Sequence, residues 1–238
     1  MELPKSIEIQ KLYIGLLGRP ADPSGLNYWS SRLNSNESLR SLALKLYSQD
    51  EYQSSLLGDQ SDSFQINRFY MNLFGHEPNT EKLNFWLNKI AQTDFGLSDL
   101  LCELINISEH VNEVEDVQDA KDIEALTNKL LSAQLFTDEV QSSISLVNVY
   151  QPDSISPWKS SLAFSNASRF LSTVTFQNRP TLKDIKNAVE TILPPSIKVL
   201  TTPALILKNV SLNIPVFNQT IQNYSQRSNN FVAGGGFS

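Results

Sequence analysis

One stretch of this sequence occurs twice, and that duplication limits the folds open to the chain more than any other feature. The first copy reads Leu12-Tyr13-Ile14-Gly15-Leu16-Leu17-Gly18-Arg19-Pro20, then Ala21-Asp22-Pro23-Ser24-Gly25-Leu26-Asn27-Tyr28-Trp29. It aligns without a gap on residues 69–86, a shift of 57 (70 − 13). Tyr13 falls on Tyr70, Leu16 on Leu73, Gly18 on Gly75, Leu26 on Leu83, Asn27 on Asn84 and Trp29 on Trp86. With one further residue inserted, Leu39, Leu42 and Leu46 match Leu97, Leu100 and Leu104, and Glu51 matches Glu109. Whatever the first unit folds into, the second must fold into as well.

The apolar spacing within the unit is helical. Ile9, Leu12, Tyr13, Leu16 and Leu17 recur at the intervals of an amphipathic stripe. Gly18 ends that helix, being free to take the left-handed conformation of a C-terminal cap. Asp22-Pro23 starts a second helix, because aspartate caps and proline has no N–H to lose at the first helical position. Leu26, Trp29 and Leu33 stripe it; Asn36 or Ser38 caps a third helix with Leu39, Leu42, Ala43 and Leu46. Ser48-Gln49-Asp50-Glu51 has the spacing of a capping box for a short fourth. In the second unit Asn79 or Thr80 takes the place of the Asp22 cap. The tryptophans Trp29 and Trp86 lie on the stripes, which favours core packing over a sugar-stacking platform. Tyr28 and Phe85 stand one position off them and are candidates for a contact surface.

Beyond the repeats the pattern continues with helices. Glu113, Glu115, Asp116 and Asp119 form an acidic run, read as a solvated linker or helix start, with a weak calcium site as the alternative. Ile123, Leu126, Leu130, Leu131 and Leu135 mark the next helix. A helix or strand follows over 140–149, a segment opened by Ser156-Pro157-Trp158 reads as helical, and 182–193 is a short helix ended by Pro194-Pro195. After these prolines the chain becomes β-branched and poorly charged, with Pro203 and Pro215, and then rich in Asn, Gln, Ser and Gly. That reads as an extended or edge-strand arm and a polar tail. The expected fold is mainly α: helical repeat 1 over 1–59, helical repeat 2 over 60–118, an additional helical region over 119–195, and an extended arm and polar tail over 196–238.

Charge and chemistry exclude more than they assign. With 19 Lys and Arg against 25 Asp and Glu the net charge is −6, and no Lys/Arg run interrupts it, so nucleic acid is not an expected partner. The single cysteine, Cys102, cannot close an intrachain disulfide, which suits a cytosolic chain or an exported one that avoids thiols. Residues 1–5 show no basic segment leading into an apolar one, so export, if it occurs, is expected by a route other than a cleavable N-terminal signal. No apolar run is long enough to span a bilayer. His76 and His110 are the only imidazoles, and each stands at a repeat position held by another residue, Arg19 or Tyr52. No nucleophile elbow, phosphate-binding glycine loop or dinucleotide fingerprint occurs, so no catalytic residues and no cofactor are expected.

The pattern of residues 12–29, closing at 48–52, resembles a tandem helical domain of unknown function found in bacterial S-layer proteins and RTX-type secreted proteins. The first unit matches the leucine-tyrosine, Leu-Gly-Arg, aspartate, Gly-Leu, Tyr-Trp and Ser-x-x-Glu-Tyr signature. The second departs from it, with His76 for the arginine, Lys82 for the glycine and His110 for the last tyrosine. A more distant likeness is to the helical linker domain of phycobilisomes. The resemblance implies no catalysis. It implies a cell-surface module that anchors to lipopolysaccharide or another surface glycan, or to sister subunits, and leaves the cell by type I secretion. A cytoplasmic scaffold for a multisubunit assembly is the alternative. Arg19, Asp22 and Tyr28 are the candidate ligand contacts: Arg19 forks to a carboxylate or phosphate, and Asp22 accepts from hydroxyls. The competing arrangement has Arg19 paired with Asp22 or a carbonyl, bracing the loop.

Overall fold

The helical spacing is realised throughout the computed structural model of the chain, which describes residues 5–35, 37–53, 60–92, 94–106, 117–152 and 161–193. The first unit contains α1 (Lys5–Leu17), α2 (Pro23–Asn34), α3 (Leu39–Tyr47) and α4 (Asp50–Gln53). The second contains α5 (Asp62–Phe74), α6 (Thr80–Gln92) and α7 (Leu97–Ile105). Then come α8 (Val117–Gln141), α9 (Ile144–Val149), α10 (Leu162–Ser172) and α11 (Leu182–Ile192). Among the described residues there are only helices and their connections. His110, the acidic residues Glu113, Glu115 and Asp116, the Ser156-Pro157-Trp158 segment and the arm over 196–238 lie outside the described residues.

The duplication holds in three dimensions down to the helix ends. α5 starts 57 residues after α1 (62 − 5), α6 57 after α2 (80 − 23), and α7 58 after α3 (97 − 39). Gly18 and Gly75 both adopt the left-handed conformation, with φ of 63° and 86°. Asp22 caps α2 by accepting from the Gly25 amide at 2.8 Å, and Asn79 caps α6 from the Lys82 amide at the same distance. Ser38 caps α3. Its counterpart Gly96 has no side chain to offer, and Asp99 instead reaches back to the Gly96 amide at 2.9 Å. Trp86 donates to the Tyr70 hydroxyl at 2.9 Å, and Trp29 and Tyr13 stand at the same positions in the first unit.

α1 is the central element, packed by α2, α3, α5, α7 and α8. Its sequence stripe predicts one buried face, yet Gln10 and Lys11 on the other face are buried too. Both have partners there: Gln10 amide groups meet Thr137 and the Ala21 N–H, and Lys11 pairs with Glu8 at 3.1 Å. α1 approaches α5 and α7 closely at Gly15, where an added Cβ would lie 2.4 Å from a Leu101 methyl carbon. The Asn72 amide, at the equivalent position of α5, donates to the Gly15 carbonyl at 2.8 Å. α8 runs 25 residues, about 37 Å at the helical rise, and lies across both units. Phe136 and Val140 near its end join Tyr150, Ala163, Phe164, Ala167, Ile185, Val189 and Ile192 in a second core. These helices fall in one compact unit, residues 3–200; residues 1–2 and 201–238 lie outside the described residues.

The duplicated second helices differ in burial. Leu26 and Trp29 of α2 are buried, beneath α1 and α8. No residue of α6 is buried, and Leu83, Trp86, Leu87 and Ile90 remain partly open.

Candidate functional site

The turn after α1 contains two of the three contact candidates, and it is buried: Arg19 is 2% exposed and Asp22 1%. A buried loop must find a partner for each backbone group, and this one does so through side chains from far along the chain. The Ala21 N–H donates to Gln10 Oε1 at 2.7 Å, Thr137 Oγ1 donates to the Ala21 carbonyl at 2.8 Å, and the Tyr150 hydroxyl donates to the Pro20 carbonyl at 2.6 Å.

Arg19 closes the arrangement. Nε and Nη2 donate to Glu51 Oε1 at 3.0 and 2.7 Å, and Nη1 to the Pro20 carbonyl at 3.0 Å. Asp22 Oδ2 lies 3.5 Å from Nη2. The guanidinium stacks on Phe164, 3.7 Å from the ring centre, with Tyr13 and Tyr150 at 5.1 and 5.7 Å. Burial works against its charge, but Glu51, Tyr150 and Asp22 outweigh it and hold the group charged. Burial, reinforced by Asp22, pushes the Tyr13 hydroxyl well above the usual tyrosine range, and burial does the same at Tyr150. Arg19 and Asp22 are thus engaged with the protein itself, in the bracing arrangement. Ser48 and Glu51 do not form a capping box: Ser48 Oγ donates back to the Leu44 carbonyl at 2.8 Å, and Glu51 is taken by Arg19. Tyr150 and Phe164 carry no signal of this role in the sequence.

In the second unit His76 stands at the equivalent place. Nδ1 lies 2.7 Å from the Glu77 carbonyl and Nε2 2.7 Å from Asp122 Oδ1, with Gln118 Nε2 beside both. Asp119, from the acidic run, is paired with Lys82 at 2.5 Å. Among the described residues no group of three His, Cys, Asp or Glu side chains could hold a metal ion. Lys129 is buried and donates to the Met71 and Asn72 carbonyls at 3.1 and 2.6 Å, so it caps the end of α5.

The third candidate faces solvent. Tyr28 is 55% exposed and Phe85, its counterpart, 56%. Each packs edge-on against the following tryptophan with ring centres 4.9 Å apart. The preceding residues, Asn27 and Asn84, are exposed as well. An asparagine-aromatic pair is therefore displayed once on each unit. On the second, Lys89 lies over the Phe95 and Trp86 rings at 4.1 and 5.3 Å and pairs with Glu103 at 2.6 Å.

Over its described residues this is an all-helical protein built on a duplicated unit. Residues 8–56, most of the first unit, match the model of a family described as a domain of unknown function (DUF4214). No curated protein and no solved structure matches the chain. Among the described residues no helix is long and apolar enough to cross a membrane.

Proposed function

We propose that the chain is a non-enzymatic module of a bacterial cell surface, of the S-layer kind, which anchors to a surface glycan such as lipopolysaccharide and assembles with sister subunits. Export by type I secretion belongs to the same reading. The observation that carries it is the repeated display of Asn27-Tyr28 and Asn84-Phe85, both exposed on equivalent helices. An open aromatic ring offers a face to the C–H side of a sugar, and the neighbouring amide both donates to and accepts from hydroxyls. With Arg19 and Asp22 buried, Tyr28 is the member of the original contact set left to meet a ligand.

The test is retention of the full chain on immobilised lipopolysaccharide, with and without calcium, for the wild type and a Tyr28→Ala, Phe85→Ala double variant. Retention weakened at least tenfold in the double variant, with unchanged unfolding, is the expected result. Equal retention of both proteins refutes this surface. A wild type that is not retained and fractionates entirely with soluble lysate favours the cytoplasmic scaffold.

A further inference from the structure

The first unit is covered on a side where the second lies open. Ile7, Lys11, Ile14 and Gly15 share an arc of about 100° on α1. Gly15 shows what that arc faces: Asn72 and Leu73 of α5 and Leu101 of α7, all from the second unit. Ile7, Lys11 and Ile14 are buried, at 5%, 2% and 0% exposure. The same arc of α5, 57 residues on (64 − 7), carries Phe64, Arg68, Met71 and Asn72. Asn72 turns back to the Gly15 carbonyl at 2.8 Å. Phe64 and Met71, however, are each 42% exposed, and Arg68 is exposed as well. The contact between the units is thus one-sided: the first presents this arc to the second, and the second leaves its own arc open.

We infer that the arc of Phe64, Arg68 and Met71 is where a second copy of this chain docks, head to tail, as the second unit docks on the first. The inference rests on the sister-subunit part of the reading above and names its surface. The choice of occupant comes from the molecule itself, since what covers the equivalent arc of α1 is a unit of the same repeat. The three residues have the i, i+4, i+7 spacing by which a helix seats in a groove, and Phe, Met and Arg are types that interfaces concentrate. Charge decides the geometry. Lys11 has Glu8 three residues before it, at 3.1 Å, whereas Arg68 has the uncharged Gln65 in that place. Two such arcs meeting across a two-fold axis would bring Arg68 towards Arg68, like charge against like. The rest of the chain offers the complement, a net charge of −7 without Arg68 (−6 − 1). The contact therefore joins two different surfaces, and a contact of that kind continues past two copies.

The experiment is sedimentation velocity of the full chain over a dilution series, wild type against a Phe64→Glu, Met71→Glu double variant. Glutamate at 64 stands three residues after the Ser61 cap, a spacing that favours α5. The wild type is expected to exceed the mass of two chains as concentration rises, and the double variant to remain a single chain with unchanged circular dichroism. A wild type that stays monomeric or stops at two chains overturns the inference, as does a double variant that associates like the wild type. A monomeric wild type whose urea midpoint falls in the double variant also overturns it, and assigns the arc to another part of the same chain. Should the double variant fail to fold, Arg68→Glu decides: association weakened by about tenfold or more is expected, and unchanged association refutes the arc. Glycan binding is read separately. The Tyr28→Ala, Phe85→Ala variant is expected to associate as the wild type does, whether or not lipopolysaccharide retains it. If that variant alone is monomeric, the subunit contact lies on the aromatic display and the arc is refuted.

Discussion

Replacing Arg19 with methionine keeps an unbranched apolar stem over Phe164 and removes the cation. The structure sets the size of the loss. Arg19 is buried, makes two hydrogen bonds to Glu51 and one to the Pro20 carbonyl, and faces Asp22 at 3.5 Å. Asp22 Oδ2 has no hydrogen-bond partner even with the guanidinium in place. Without it, a carboxylate that is 1% exposed is left with no cation beside it. Breaking a buried pair from one side costs about 3–5 kcal/mol, a large part of the 5–15 kcal/mol that separates a typical native state from its unfolded chain. Urea unfolding followed by circular dichroism measures this as a lower midpoint at unchanged slope. A triple variant, Arg19→Met with Asp22→Asn and Glu51→Gln, removes the stranded charges while retaining the cap, as Asn79 does in the second unit. It should recover much of the loss. A single-variant loss below about 1 kcal/mol, the worth of an exposed pair, would refute the socket. A triple variant no better than the single would assign the loss to packing instead.

Gly18→Ala should destabilise more than Gly75→Ala, although both are left-handed: an added Cβ meets Asn72 Oδ1 at 2.8 Å at the first and nothing closer than 3.9 Å at the second. Backbone strain alone accounts for about 1–2 kcal/mol at Gly75, and equal midpoints for the two variants would contradict this. Burial holds the Lys129 ammonium down to about 8, below its value in an unfolded chain, so the native state sheds that proton first and gains stability as pH rises from about 8 towards 10. Lys129→Met should lack that gain, seen as a stability difference from wild type that changes between pH 7 and 9.5; a constant difference refutes it. Burial, with Asp99, pushes the Cys102 thiol up to about 12, so iodoacetamide at pH 8 should label it only after denaturation. Rapid labelling of the native chain would show that the thiol is open.

What the sequence made legible was most of what has a period or a local cap; the Ser48–Glu51 capping box, which does not form, is an exception. The 57-residue shift predicts α5 and α6 from α1 and α2 to within a residue at their ends, and Gly18, Gly75, Asp22, Ser38 and Asn79 cap where residue chemistry places them. Trp29 on its stripe is buried as a core residue should be. The candidate site was less legible because its geometry is long-range. Pro20 and Tyr150 meet across 130 positions, Ala21 and Thr137 across 116, and no helical period encodes either pairing. For the same reason α1 shows a one-sided stripe but is buried on both sides: its second face is covered by polar partners, and hydrophobic spacing does not register Gln10 or Lys11 as core.

The division of labour between the two units narrows where a partner can act. Gly18, Arg19, Asp22 and Glu51, the polar part of the signature, brace a buried turn, so a chain can carry them solely to fold. The second unit supports this: it replaces arginine by histidine and aspartate by asparagine, yet retains the left-handed glycine and the helix cap. Selection for a ligand therefore acts more freely on positions whose side chains the fold leaves outside, and Tyr28 and Phe85 are such positions. Truncating either ring should change stability by about 1 kcal/mol or less, because each is more than half exposed. If Tyr28→Ala or Phe85→Ala instead unfolds the chain, these rings are structural, and the division between bracing and contact residues fails at its most exposed point.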